Sequence, residues 1–531
     1  MVRFSSFRRL TLGALLALGA CAGGTTGLPP PMPEPIAPVA LAPPEAVISP
    51  VAETLPIAET IVETPVVVAP AAAPAGRVFA APASVRPAGT AIGYLLVDLE
   101  SGIELAGLNP DLPLIPASTT KMATAIVALD VLGPEHRYRT EVLARGEVRE
   151  GVLRGDLILK GGGDPSLDVA DLLELVVRLQ ARGIRRVDGR FLIDDTALPR
   201  FSEIHPTQPL EAAYNPGLGA LSLAFNRVRV LWRGGDAVEV VTLPPLSEAR
   251  FEAIPPSRLP PSGVELKSQG GEDVVWQVAD RGGRRQEIAL PVKDPGLHAG
   301  HVFRWLARAQ GVELEAPQRR AAPLDAWLVV AHESPPLRQL VRDMLVYSNN
   351  MMAELIGLSA AERLGNAEAG LDAAGALLLR HLARLMPEVD WRGATLGNHS
   401  GLDGTARLTP RQLAAIARYG WHSEALPALL AAGGWSGTLV NRFAGPDEAL
   451  RIWAKTGSVN YGSALAGYVF PDSGEAAVFV TMVSDVGARA RYDLALRPSP
   501  AAQSAARAWN VRARALQDEL VEGWLKPLPT S

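Results

Sequence analysis

The sequence predicts a mixed α/β fold of the α+β kind, and three observations support this. Residues 450–454, 464–470 and 476–483 read as consecutive antiparallel strands. Helical patterns run over 121–132, 336–364, 370–385 and 499–525. A strand-rich stretch with many Gly and Pro turns fills about 140–325. At 531 residues the chain is too long for one small domain.

The order of segments starts before any fold element. Arg3, Arg8 and Arg9 precede a short apolar run over residues 10–20, the pattern of an export signal at 1–20. That run is about half the length a bilayer-crossing helix needs. It ends in Leu18-Gly-Ala-Cys21, which resembles the bacterial lipoprotein cleavage box, and Cys21 is the single cysteine of the chain. Lipidation of Cys21 would anchor the protein to a membrane. Ala22 after it is similar to the pattern of outer-membrane lipoproteins. The alternative is an ordinary cysteine beside a simple signal-peptidase site. Residues 21–88 then run in Pro, Ala and Val with little charge, a stiff tether reaching at most about 200 Å.

Folded sequence starts near residue 90, with a strand over 91–99, a turn at Ser101-Gly102 and a second strand. Pro116-Ala117 leads into Ser118-Thr-Thr-Lys121 at the head of a helix. Ser118 and Lys121, three apart, share a helical face. A serine hydroxyl needs a base, and a desolvated lysine can serve as one. The helix N-terminus also offers the Ser118 N–H to a developing oxyanion.

Ser348-Asn-Asn350 lies between helical stretches, where Ser348 and Asn350 can relay a proton and hold a substrate amide. Lys455-Thr-Gly-Ser458 is read as the end of a strand that begins at Arg451. There Lys455 can meet a terminal carboxylate, Gly457 lets a substrate backbone approach, and Thr456 and Ser458 border the site. Read singly, the three motifs are also an N-cap with a solvated lysine, an Asx-turn and an edge-strand lysine. Composition favours the chemical reading. Of 51 Lys plus Arg only six are Lys, and two of these stand in the motifs. Lys can give up its proton in a dry site and Arg effectively cannot.

In that order the motifs resemble the Ser-x-x-Lys, Ser-x-Asn and Lys-Thr-Gly set of the serine enzymes that penicillin inhibits. Lys121 and Ser348 stand 227 positions apart. With Gly155-Asp-Leu-Ile-Leu-Lys-Gly-Gly-Gly-Asp-Pro-Ser166, Ile193-Asp-Asp-Thr196 and Gly437-Thr-Leu-Val-Asn-Arg-Phe443, that gap is similar to one family. These are the class C low-molecular-mass penicillin-binding proteins, D-alanyl-D-alanine carboxypeptidase/endopeptidases. The resemblance implies a penicillin-binding/β-lactamase-like serine transpeptidase fold, an antiparallel sheet flanked by helices. Its catalytic domain would be 89–139 plus 326–531, and 140–325 an inserted, mostly-β pair of domains or a single one.

The resemblance further implies that Ser118 forms an acyl-enzyme with peptidoglycan stem peptides and is acylated by β-lactam antibiotics, without a cofactor. Asp194 matches an acidic position that faces the substrate in the family; the alternative is a turn Asp after a strand. One departure stands out: Asn398-His-Ser-Gly-Leu-Asp-Gly404 carries Gly404 where the family has an Arg that meets the substrate's side chain. Arg407, three residues on, is a candidate substitute.

A net charge of −5 argues against nucleic acid, and no His-Glu-x-x-His or Cys/His cluster suggests a metal. Two other functions remain open, a β-lactamase and a non-catalytic tether between outer membrane and cell wall.

Overall fold

The computed structural model describes residues 89–525 apart from 234–238, 246–248, 260–262, 271–272, 281–284, 366–369, 473 and 496–497. The signal segment, Cys21 and the Pro/Ala tether lie outside the described residues.

In chain order, β1 (Ala91–Asp98) and β2 (Glu104–Leu108) form a hairpin, and a 3-10 turn (Ala117–Thr119) feeds α1 (Thr120–Leu132). There follow β3 (Arg139–Arg149), β4 (Val152–Gly161), α2 (Val169–Ala181), β5 (Arg186–Val187) and β6 (Phe191–Asp194). Next come β7 (Arg227–Arg233), β8 (Glu239–Leu243), β9 (Ala249–Ile254), β10 (Val264–Gly270), β11 (Asp273–Ala279) and β12 (Arg285–Pro291). Then α3 (Pro295–Ala309), β13 (Pro317–Arg319) and β14 (Trp327–Glu333) lead to α4 (Leu337–Tyr347), α5 (Asn350–Leu364), α6 (Leu371–Leu385) and α7 (Pro410–Glu424). The chain ends with β15 (Ala431–Ala432), β16 (Ile452–Val459), β17 (Gly462–Val469), β18 (Ala477–Ser484), α8 (Val486–Asp493) and α9 (Pro500–Leu525).

The sheet that positions the site has the order β15-β16-β17-β18-β1-β2. Its pairings are antiparallel, with Lys455 opposite Ala466, and Ser484 opposite both Gly462 and Ala91. Both faces are covered. Leu95, Ala466, Tyr468, Val480 and Met482 pack with α1 and its neighbours, while Tyr94, Leu465, Phe479 and Val483 pack with Trp509, Leu516 and Trp524 of α9. Alternate residues of one strand thus enter two cores. That is why β17 and β18 are buried throughout and read as unbroken apolar runs.

Residues 120–129 of α1 are all buried. A helix apolar all round belongs at the centre of a fold, and α1 packs against α4, α5, α6 and α7. Thr409 caps α7 and pairs reciprocally with Gln412, with Pro410 at the first helical position. The Tyr468 hydroxyl donates to the Ala417 carbonyl (2.6 Å), tying that helix to the sheet.

A second sheet, β13-β6-β4-β3-β14 with β5 beside β4, packs on α2 and α3. The sequence reading places no helix here, yet Asp168 and Asp171 form a capping box at the head of α2. Two three-stranded sheets, β12-β7-β8 and β10-β11-β9, share a smaller core around Trp232 and Trp276. Among the described residues no helix is long and apolar enough to cross a membrane.

Candidate active site

The three motifs, far apart in sequence, meet at one cleft. It has a volume of ≈ 340 Å³ and is lined by Ser118, Ser348, Asn350 and Ser458 together with Gln208, Tyr214, Gly401, Asn460, Arg489 and Asn510. A larger hollow of ≈ 460 Å³ around His136, Tyr138 and Ser359 holds no such serine–lysine pair.

Ser118 sits in the 3-10 turn before α1, and Lys121 lies in the first turn of that helix. Lys121 is completely buried. Its Nζ donates to Ser118 Oγ (3.0 Å), Asn350 Oδ1 (2.8 Å) and the Ser400 carbonyl (2.8 Å). Burial pushes its pKa down to about 7, with the charge of Glu354 opposing the shift. Ammonium and amine are therefore both present near neutral pH. In the amine form the lone pair can accept the Ser118 proton while two N–H bonds persist.

Ser348 occupies the left-handed region (φ 56°) between α4 and α5, and Asn349 caps α5 by accepting from the Met352 N–H (3.2 Å). Asn350 Nδ2 donates to the Tyr214 carbonyl (3.1 Å), so the amide is held from both ends. Lys455, also completely buried, donates to Ser348 Oγ (2.9 Å) and the Thr456 carbonyl (2.7 Å). Burial, and next the charge of Lys121, holds its pKa well below the ordinary value. Neither lysine lines the cleft. Each reaches it through a serine hydroxyl.

Lys455-Thr-Gly-Ser458 occupies the second half of β16, which runs one residue past it to Val459. β15 covers β16 only at Trp453 and Ala454. Thr456 Oγ1 donates to Thr438 Oγ1 (2.9 Å), which explains part of the Gly437-Thr-Leu motif. A Cβ at Gly457 would stand 2.6 Å from the Pro116 carbonyl and 3.1 Å from the Ser118 nitrogen. The glycine thus makes room for the turn that carries Ser118. Gly401 does the same from beneath: its φ is +74°, and a Cβ there would meet the Ala117 carbonyl at 1.9 Å.

The sequence reading misses Glu354. One turn beyond Asn350, this fully buried carboxylate accepts the N–H groups of His399 (3.0 Å) and Ser400 (2.9 Å). It thereby aims the Ser400 carbonyl at Lys121. Its pKa is raised, since burial outweighs those hydrogen bonds and the Lys121 charge. The four-residue spacing from Asn350, as the one charge in the apolar stretch from Met351 to Leu358, is the signal that could have found it. His399 is buried with both ring nitrogens unpartnered, and burial pushes its pKa down to about 3.

Asp194 is placed elsewhere. At the end of β6 its carboxylate accepts from Thr196 N and Oγ1 and from Ala322 N, and it does not line the cleft. Arg407 spends its Nη1 on the carbonyls of Gly404 and Ala406.

With this geometry in place, comparison with known proteins is informative. Residues 81–496 match the model of the D-Ala-D-Ala carboxypeptidase 3 (S13) family. The chain is 29% identical over 438 residues to a D-alanyl-D-alanine carboxypeptidase of Actinomadura sp., covering 73% of this chain and 77% of the relative. It is 22% identical over 436 residues to the D-alanyl-D-alanine carboxypeptidase DacB of Haemophilus influenzae, covering 75% and 86%. The crystal structure of penicillin binding protein 4 from Haemophilus influenzae superposes with a TM-score of 0.70 at 20% identity, covering 84% of this chain and 98% of that one. That likeness carries the fold, an antiparallel sheet flanked by helices, and the match over most of the sequence carries more. The chain belongs to the D-Ala-D-Ala carboxypeptidase 3 (S13) family.

Proposed function

We propose that Ser118 is the nucleophile of this serine D-alanyl-D-alanine peptidase. The observation that carries the assignment is the 3.0 Å contact of its Oγ with a wholly buried Lys121 whose pKa lies near 7. The amine of Lys121 takes the Ser118 proton as Oγ attacks the carbonyl between two D-alanines of a peptidoglycan stem peptide. The N–H groups of Ser118 and Ser458 receive the oxyanion. The C–N bond then breaks, the leaving amine takes a proton through Ser348, and water hydrolyses the ester. Lys455, behind Ser348, donates to that hydroxyl and through it meets the terminal carboxylate of the leaving D-alanine. Cleavage of D-alanyl cross-bridges follows the same steps with a larger leaving amine, and a β-lactam acylates Ser118 in the same way.

The test uses fluorescent penicillin, a cross-linked muropeptide and Ser118→Ala. The native protein should be labelled and split the cross-linked muropeptide into monomers, and the variant should do neither. An unlabelled native protein would sink the assignment. Rapid loss of label with intact muropeptide would instead mark a β-lactamase.

Export to the periplasm and lipid anchoring at Cys21, to the outer membrane, are part of the same proposal. The sole cysteine at the end of the apolar run supports them. Mass spectrometry of membrane-extracted protein should find acylated Cys21, and Cys21→Ser should leave the membrane fraction. The division into a catalytic domain and an insertion is likewise proposed. Pairing of β14 with β3 argues for moving its second edge from 325 to near Glu333.

A further inference from the structure

The most exposed tyrosine and the most exposed tryptophan of the described residues stand on two segments that touch beside the cleft. Tyr347 is 70% exposed and Trp435 72%, while no other described tryptophan exceeds 54%. One bare ring on a surface needs no explanation, but two large rings flanking one mouth form a surface that can bind. Tyr347 is the last residue of α4 and directly precedes Ser348, whose Oγ accepts from Lys455. Trp435 lies in the loop after β15, three residues before Thr438, whose Oγ1 accepts from Thr456.

Gly437 is where the two segments meet. Its φ is +52°, and a Cβ there would stand 2.2 Å from the Val346 carbonyl oxygen, on the peptide unit that leads into Tyr347. Backbone bonds hold the loop in shape. Gly434 N donates to the Arg442 carbonyl (2.8 Å), Trp435 N to the Ala432 carbonyl (3.2 Å), and Ser436 Oγ accepts from Ala432 N (3.0 Å). The Trp435 ring is therefore carried on a fixed backbone, and a ligand that uses it has little loop ordering to offset.

The proposed chemistry gives the substrate a direction along β16. Its oxyanion lies between the N–H groups of Ser118 and Ser458, and the leaving D-alanine is met through Ser348. The acyl part thus runs past Ser458 toward Val459 and Asn460, which line the cleft. The leaving part runs the other way, toward Ser348 and Lys455, about 10 Å from Ser458 at strand rise. Tyr347 and Trp435 border that second direction, and neither lines the cleft. A single leaving D-alanine ends at the Ser348 hydroxyl. A leaving group that is a whole stem peptide continues beyond it, by about 3.3–3.6 Å per extended residue. We propose that Tyr347 and Trp435 are specificity-determining residues that hold the stem peptide carrying the leaving amine of a cross-linked substrate. Rings of this kind give large contact area with few rotatable bonds to fix. The proposal rests on the Ser118 reading and gives that site a surface for cross-links that terminal D-alanine does not reach.

The test sets a cross-linked muropeptide dimer beside a monomeric peptide of the same acyl part ending in D-alanyl-D-alanine. Both are given to the native full chain, Trp435→Ala, Trp435→Phe and Tyr347→Ala, with penicillin acylation of Ser118 measured alongside. Each alanine variant should lose about tenfold in kcat/KM on the dimer, mainly through KM, and Trp435→Phe should keep at least about a third of the native value. D-Alanine release from the monomer and the penicillin rate should stay within about twofold. Equal losses on dimer and monomer, or none on either, would overturn the proposal. So would a native enzyme that releases D-alanine from the monomer but leaves the dimer intact. Native protein that neither takes penicillin nor releases D-alanine would instead overturn the Ser118 reading, and this proposal with it.

Discussion

Lys121 is the residue on which the proposed chemistry turns, and its behaviour follows from desolvation. Below a pH of about 7 the ammonium dominates and holds no lone pair for the Ser118 proton. Acylation by penicillin should therefore rise with pH through about 7 and fall about tenfold for each unit below it. Lys121→Arg keeps a charge but cannot become a base, and should lose about 10²–10⁴-fold in acylation rate at every pH, measured by stopped-flow labelling. Glu354 acts on this lysine by raising its pKa. In Glu354→Gln the low-pH limb of the acylation profile should move to lower pH. The same variant turns an amide NH₂ toward the backbone N–H of His399 or Ser400. Leaving one donor unmet should cost about 1–3 kcal/mol in a denaturant melt.

Among the elements, the 3-10 turn and β16 form the tightest joint. Gly457→Ala would press a methyl group on the Pro116 carbonyl and the Ser118 nitrogen. The turn must shift, and misplacement by about 1 Å should slow penicillin acylation on the order of 100-fold. Label incorporation over time checks this. Elements of this kind were legible to different degrees. The strands β1, β17 and β18 and the helix α1 stood out by their long, mostly apolar runs, and α4, α5, α6 and α9 by helical period. The helices α2, α3 and α7 did not, because their apolar stripes are interleaved with charge among many Gly and Pro turns. Ser118, Lys121, Ser348 and Lys455 were readable as motifs. Glu354 was not, since it meets the site through His399 and Ser400, neighbours that only folding brings near.

On the scale of the whole molecule, the segment between β6 and β7 forms one wall of the cleft. Tyr214 and Gln208 line it, and Asn215 holds the segment by accepting from Ile204 N (3.0 Å) and His205 N (2.8 Å). His205 in turn stands 3.5 Å from Asp403, beside the Ser400 loop. Asn215→Ala strands two backbone donors, one buried and one half-buried. Hydrogen exchange at Ile204 and His205 should speed up, and KM for a muropeptide should rise several-fold with the penicillin rate little changed. The pairing of β1 with β18 has a kinetic consequence. Ala91 meets Ser484, so the catalytic sheet cannot close until nearly the whole chain has been made, at a loop-closure cost that local hairpins do not bear. The β3–β4 hairpin and the α2 region beside it need no such wait. Order of synthesis therefore favours a middle that folds first and a nucleophile that stays inert until the end, when the last strands dock against the first.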